Sequence, residues 1–240
     1  MTSTPTPPTS ATATTGPSAV LWDMDGTLLD SEPLWDIAMA DLARRHGIVM
    51  SATLRESTLG NSMTDAMAKV FDAAGTPEEE RDYIADARWL LDRVAALFDD
   101  GLPWRPGARA ALDLIGEAGI PMVLVTNTVR ELTDVALATI GADRFAATVC
   151  GDEVRHGKPH PDPYLRGAEL VGVGTAASLA VEDSPTGTIA ATTAGCPTLV
   201  IPSAAPVPTG EGRTFRESLV GLTLADVADA WTGGGASSST

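Results

Sequence analysis

Ala19-Val-Leu-Trp22 runs directly into Asp23-Met-Asp-Gly-Thr27, and this junction decides how the chain is read. Four consecutive apolar residues ending in carboxylates describe a short buried strand whose far end carries chemistry. The same arrangement recurs downstream. Pro121-Met-Val-Leu-Val125, with its proline tolerated at the first strand position, leads to Thr126-Asn127-Thr128. Ala146-Ala-Thr-Val-Cys150 leads through a loop to Gly157-Lys158-Pro159, and Ser178-Leu-Ala-Val181 leads to Glu182-Asp183-Ser184. Thr198-Leu-Val-Ile201 is a fifth apolar run. Helical patterns separate these runs. Ala111, Leu114, Ile115 and Ala118 form one face before Gly119, and further helices are expected near Arg130 to Ile140, Asp162 to Val171 and Pro185 to Ala194. Continuous apolar strands alternating with helices imply an α/β fold, a doubly wound parallel sheet of Rossmann type covered on both faces.

Between the first strand and the second, the pattern is helical from about Leu34 to Phe98. Ile84, Ala87, Leu91, Val94 and Phe98 recur at three- and four-residue steps and are expected on one buried face. Thr76 as N-cap, Pro77 in the first turn and Glu79 closing a capping box are read as the start of that helix. Gly47 and Gly75 fit as stops for two earlier helices. The expected organisation is an α/β core over 19–32 and 103–232, an all-helical insert over 33–102, and tails at 1–18 and 233–240. The N-terminal tail is Thr, Pro, Ser and Ala without a charged side chain, and is expected to be disordered.

The 240 residues carry a formal charge of −16, which argues against a nucleic-acid partner. No run of about 18 apolar residues exists, so no membrane span is expected. The early stretch lacks the basic start and apolar middle of a secretory signal. Cys150 and Cys196 lack metal-ligand spacing and read as reduced, partly buried thiols. Together these features point to a cytoplasmic protein, and no protein partner is implied.

Ligands of doubly wound sheets bind beyond the carboxyl ends of the strands, where these polar residues converge. Phosphoryl transfer explains the assortment. A carboxylate attacks phosphorus only if the charge already on the phosphate is neutralised. Mg²⁺ does this with one or two carboxylates, phosphate oxygen and water, and Asp23 and Asp183 can supply the carboxylates. Lys158 adds a compact positive charge. It is one of only two lysines among 16 basic residues, in a chain that otherwise uses arginine. The Thr126 hydroxyl and the Asn127 amide can hold the remaining phosphate oxygens. Asp25 can protonate the leaving oxygen and later deprotonate the attacking water.

Asp23-Met-Asp-Gly-Thr27, Thr126, Lys158-Pro159 and Glu182-Asp183-Ser184, in that order, resemble the four motifs of the haloacid dehalogenase (HAD) superfamily. The helical insert resembles the C1-type cap of its subclass containing phosphoglycolate phosphatase and beta-phosphoglucomutase. The resemblance covers roughly residues 19–230. It implies Asp23 as the phosphorylated nucleophile, Asp25 as acid and base, and the Asp25 backbone carbonyl as a further magnesium ligand. Asp183 would be a direct ligand and Glu182 a nearby carboxylate, in or just outside the metal's ligand set. Thr126 and Lys158 would grip the phosphate of a small phosphorylated metabolite.

The family's other activities fit less well. A halide leaves without a proton, so a dehalogenase does not need Asp25. Phosphonate hydrolases place a small residue there and recruit a cap lysine. Sugar phosphomutases of the beta-phosphoglucomutase type share the core motifs and are the rival reading. They carry a cap arginine for the second phosphate of a bisphosphate, where Met63, within Gly60-Asn-Ser-Met-Thr-Asp65, stands here. The expected activity is therefore hydrolysis, with Trp35, Asn61, Met63 and Trp89 as candidate cap residues facing the crevice. His160 reads as a structural or substrate-adjacent residue of a proline-shaped loop, and His46 and His156 have no assigned role.

Overall fold

The computed structural model describes residues 16–58, 63–99, 101–203 and 205–233. Most of both expected tails, together with Asn61, lies outside them. Ser18 is inside the fold, its backbone N–H donating to the Ala177 carbonyl at 2.7 Å.

Six strands form one parallel sheet: β1 (Ala19–Trp22), β2 (Met122–Val125), β3 (Ala147–Val149), β4 (Ser178–Glu182), β5 (Thr198–Val200) and β6 (Arg213–Phe215). Their spatial order is β3-β2-β1-β4-β5-β6. Trp22 pairs with Leu124 on one side and with Val181 on the other, so β1, β2 and β4 end side by side. Side chains of β1 alternate between the faces. Val20 and Trp22 join the larger core with Leu124, Leu179 and Val181, while Leu21 joins Val123, Val125 and Tyr164 on the other face. Two covered faces explain why these strands read as unbroken apolar runs.

Between β1 and β2 lie α1 (Glu32–Arg45), α2 (Ala52–Thr58), α3 (Met63–Ala74) and α4 (Tyr83–Asp99). Two adjacent passes of chain connect these helices to the sheet. Leu29 bridges Trp104, the Asp30 N–H donates to the Pro103 carbonyl at 2.8 Å, and the Arg105 N–H donates to the Leu28 carbonyl at 2.9 Å. The remaining helices are α5 (Ala108–Glu117), α6 (Arg130–Ile140), α7 (Asp162–Leu170), α8 (Pro185–Thr193) and α9 (Leu224–Thr232). Gly47, Gly75 and Gly119 follow α1, α3 and α5 closely, as expected.

Two local expectations need correction. Pro77 precedes only a short 3₁₀ turn, Glu78–Glu80, and α4 starts later. Asp82 is its cap, with Oδ1 accepting from the Ala85 N–H at 2.9 Å, three residues on. The buried face of α4 is consequently rotated to Asp86, Leu90, Val94, Leu97 and Phe98, which leaves Ile84 86% exposed. Buried Asp86 also gives His46 a role. His46 Nε2 lies 2.7 Å from Asp86 Oδ2, and Arg45 Nε donates to Oδ1 at 3.0 Å, tying the end of α1 to α4. The sixth strand and the last helix went unread in the sequence. β6 is a partly exposed edge without an apolar run. α9 does carry a legible signal, Thr223 and Asp226 in a reciprocal capping box.

Cys150 and Cys196 are both buried and free. Burial pushes the Cys150 thiol up to about 11 and the Cys196 thiol up to about 12, so neither supplies thiolate at neutral pH. Ellman's reagent should therefore find no reactive thiol in the native protein at neutral pH, and both after denaturation. Rapid labelling of the native chain would contradict the burial described here.

Candidate active site

The carboxyl ends of β1, β2 and β4, with the loop after β3, gather the polar residues named from the sequence. At the centre is the Lys158 ammonium group, 8% exposed. Its Nζ donates to Asp23 Oδ1 at 2.6 Å, to Glu182 Oε1 at 2.7 Å and to the Val125 carbonyl at 2.8 Å. Those acceptors use its three protons and join the ends of three strands. Asn127 fixes the loop that delivers the lysine: its Oδ1 accepts the Lys158 N–H at 2.7 Å and its Nδ2 donates to the Lys158 carbonyl at 3.0 Å. The Asn127 side chain is thus engaged with loop backbone, a use the sequence did not suggest.

Glu182 is also fully engaged. Oε1 accepts the Tyr164 hydroxyl at 2.5 Å, and Oε2 accepts from the Asp183 N–H and the Ser184 hydroxyl, both at 3.3 Å. The carboxylate lies against α8 where Gly187 has no side chain. A Cβ there would fall 1.9 Å from Oε1. Asp183 Oδ2 accepts the Ser203 hydroxyl, and it sits over Gly26, whose φ of +84° and lack of a Cβ permit both the turn and the close approach.

Asp25, two residues beyond Asp23, is held by three hydroxyls. Ser31 donates to Oδ1 at 2.5 Å, while Thr128 and Thr126 donate to Oδ2 at 2.7 and 3.3 Å. Ser31, Thr128, Tyr164 and Ser203 were not singled out from the sequence. Thr128 stood in a quoted strand end, but nothing local marked its hydroxyl as a partner of Asp25. Tyr164 reads as an ordinary core position of α7.

The electrostatics follow from packing three carboxylates around one ammonium. Burial pushes the Asp23 carboxyl well above its ordinary range; Glu182 adds to this and Lys158 opposes it. Burial and then Glu182 raise Asp183 to about 7, against the Ser203 hydrogen bond. Burial alone would depress Lys158, but Asp23 and Glu182 outweigh it and hold the ammonium above its ordinary value. Oxygens of Asp23, Glu182 and Asp183 lie within 4.8 Å of one another, and Asp23 Oδ2 is buried without a hydrogen-bond partner among the described residues. This all-oxygen, net-negative donor set fits a hard divalent cation. Because Glu182 is committed to Lys158, Tyr164 and Ser184, Asp23 and Asp183 are the carboxylates with coordination capacity left.

A cavity of about 450 Å³ opens between the Asp25 and Asn127–Thr128 side of the strand ends and the helices inserted after β1; Asp23, Lys158, Glu182 and Asp183 are not among its lining residues. Asp25, Asn127 and Thr128 line one side, and Glu32, Trp35, Arg55 and Met63 line the other. Trp35 and Met63 are therefore where the sequence put them. Trp89 is not among the lining residues; it packs on the core, with the Arg45 guanidinium 5.3 Å from its ring centroid. Glu32 and Arg55 were missed because a charge on a helix reads as a solvated face. His156 and His160 are exposed and pair with Asp162 at 3.1 and 3.0 Å, away from the cavity lining.

The family of haloacid dehalogenase-like hydrolases matches residues 17–195. Hexitol phosphatase A of Escherichia coli is 31% identical over 188 residues, covering 78% of this chain and 84% of that protein. Phosphoglycolate phosphatase of Neisseria gonorrhoeae is 32% identical over 187 residues, covering 74% of this chain and 77% of that protein. The crystal structure of CbbY from Rhodobacter sphaeroides, in complex with phosphate, shares the fold with a TM-score of 0.78 at 24% identity, covering 88% of this chain and 99% of that one. The class of protein is a phosphoric monoester hydrolase. The chain belongs to the haloacid dehalogenase-like hydrolases.

Gly187 supplies a test in which two effects oppose. In the interior of a helix, alanine is ordinarily better than glycine by roughly 0.5–1 kcal/mol. Here its methyl group would overlap the buried Glu182 carboxylate. Gly187→Ala should instead destabilise by about 1–3 kcal/mol, read from the urea midpoint. A stabilised variant would mean that Glu182 is not held as described.

Proposed function

We propose that this hydrolase cleaves small phosphate monoesters by in-line attack of the Asp23 carboxylate on phosphorus, through a phosphoaspartate. One observation carries the reading. Asp23 has one oxygen held by Lys158 at 2.6 Å and the other unpartnered, while Asp25 is oriented by three hydroxyls two residues away. In the first step an Asp23 oxygen forms the new P–O bond as the bond from phosphorus to the leaving oxygen breaks, and Asp25, which enters the step protonated, gives that oxygen its proton. In the second, water attacks the phosphoaspartate as Asp25 receives its proton. Phosphate is released and the Asp23 carboxylate is restored.

Thr126 and Lys158 are the proposed grips on phosphate oxygens, each exchanging a present hydrogen bond to Asp25 or Asp23 for the phosphate; Asn127 contributes by fixing the Lys158 loop. Mg²⁺ is the proposed cation, held by Asp23, Asp183 and the backbone carbonyl of Asp25, with Glu182 just outside as the partner of Lys158. When bound, it supplies the positive charge that phosphate oxygens need in a cluster otherwise rich in carboxylates. Residues 33–102 act as a cap over the core formed by 19–32 and 103–232. Hydrolysis is preferred over phosphomutase chemistry because Met63, an apolar side chain, faces the cavity where the rival activity needs a phosphate clamp. The composition supports a cytoplasmic enzyme that acts on small metabolites and not on nucleic acid or membranes, and it implies no protein partner. Among the described residues, no helix is long and apolar enough to cross a membrane.

Asp23→Asn should leave less than about one per cent of the phosphate-release rate, because the isosteric amide is a poor nucleophile and ligand. Greater residual turnover in contaminant-free protein would exclude Asp23 as the nucleophile. Removing divalent ions with EDTA should abolish turnover and Mg²⁺ should restore it. Ca²⁺ should bind yet inhibit, since its looser coordination misplaces the reacting groups. Full activity in EDTA would overturn the metal assignment.

A further inference from the structure

Among the described residues, three charged side chains line the cavity: Asp25 below, and Glu32 and Arg55 from the inserted helices. Arg55 is already engaged. Its Nε donates to Asp36 Oδ1 at 2.6 Å, one terminal nitrogen also contacts Asp36, and the other donates to Thr58 Oγ1 at 2.9 Å. One guanidinium therefore faces two carboxylates, Asp36 and Glu32, with Asp25 below them. The cavity wall is net negative even with Arg55 counted.

Burial raises the Glu32 carboxyl, Asp36 adds to the effect, and Arg55 opposes both. The field of Glu32 also reaches Asp183, which it raises. A second anionic group on a substrate would meet the charges of Glu32 and Asp25, with the Arg55 charge already shared with Asp36. Hydroxyl groups face no such conflict. They can donate to Glu32 and accept from the guanidinium protons that Asp36 and Thr58 leave unused. Trp35, Met39 and Leu90 add apolar wall for the C–H faces of a carbon chain or ring.

We propose that Glu32 and Arg55 determine specificity by reading hydroxyl groups, so that the substrate is a monoester with an uncharged, polyhydroxylated remainder, a polyol or sugar monophosphate. Monoesters that carry a second phosphate or a carboxylate are turned away. This inference rests on the phosphatase reading above and extends it to the leaving group. The two relatives described above do not choose between these classes, since one is named for a hexitol and the other for a carboxylate-bearing substrate.

Phosphate release from the full-length chain, measured with Mg²⁺, decides the matter with four probes: sorbitol 6-phosphate, phosphoglycolate, fructose 1,6-bisphosphate and acetyl phosphate. Wild type should favour sorbitol 6-phosphate over the two additional anions by at least about tenfold in kcat/KM. Glu32→Gln removes the repulsion, so that preference should fall at least about fivefold, mainly through KM. Glu32→Asp keeps the charge with a shorter reach; it should retain the rejection of anions while raising KM for the polyol ester. Arg55→Gln leaves Asp36 unopposed and should widen the rejection. Should Glu32→Gln fail to fold, the other two variants carry the test. A wild type that prefers phosphoglycolate or the bisphosphate, or ratios unmoved in the folded variants, would overturn the proposal. Acetyl phosphate is too short to reach the upper wall and separates the two levels. Its turnover without a polyol preference refutes only the specificity reading, whereas no turnover of any probe refutes the phosphatase reading and this one with it.

Discussion

The Lys158 ammonium group, buried where three strands end, is the contact on which the rest of the site depends. Taking a charge out of water costs several kcal/mol per ion, and only close, well-aligned partners offset that cost. Here the partners are Asp23 after β1, Glu182 at the end of β4 and the Val125 carbonyl in β2, all within 2.8 Å. The contact forms only when the parallel register has brought those strands level. Removing one partner of such a buried group typically costs about 3–5 kcal/mol, because the remaining charge is left uncompensated. The residues of this polar cluster are therefore among those that hold the carboxyl edge of the sheet together.

One ammonium does not neutralise three carboxylates. The upward displacement of Asp23 and Asp183 expresses that imbalance, and burial among like charges is its cause. A chain of net charge −16 handles an anion by placing cationic character locally, at a few oxygen-lined positions, instead of spreading it over the surface.

How much of this is legible in the sequence depends on what each residue's neighbours are. Strands β1, β2 and β4 are buried on both faces, so their apolar runs and the polar residues that follow them stand out without any tertiary information. The edge strand β6 lacks that pressure, and Arg213-Thr-Phe215 carries no comparable run. Around α4, Thr76-Pro77 offers an attractive helix start, but Asp82 lies at the right distance from the first helical N–H groups and wins. The site splits along the same line. Asp23, Asp25, Lys158 and Asp183 sit in dense local motifs. Ser31, Thr128, Tyr164 and Ser203 matter only through contacts between distant segments, and Arg55 looks like a surface charge until the sheet is placed opposite it. Asn127 was noticed for its amide, yet that amide holds loop backbone, because Lys158 needs its own segment fixed before it can reach Asp23.

The paired passes of chain at Leu28–Asp30 and Pro103–Arg105 have a consequence for how such a protein can change over time. A segment whose entry and exit are hydrogen-bonded to each other leaves the sheet nearly as if it had never been interrupted. Loop-closure entropy grows only by about 0.6 kcal/mol for each doubling of the excursion, so long insertions between those passes burden the fold very little. The inserted helices carry Glu32, Arg55 and Met63, whereas the ends of β1 and β4 and the loop after β3 carry Asp23, Asp183 and Lys158. Mutation, recombination or wholesale replacement of the excursion can thus reshape the upper wall of the cavity while the polar cluster at the sheet edge stays as it is.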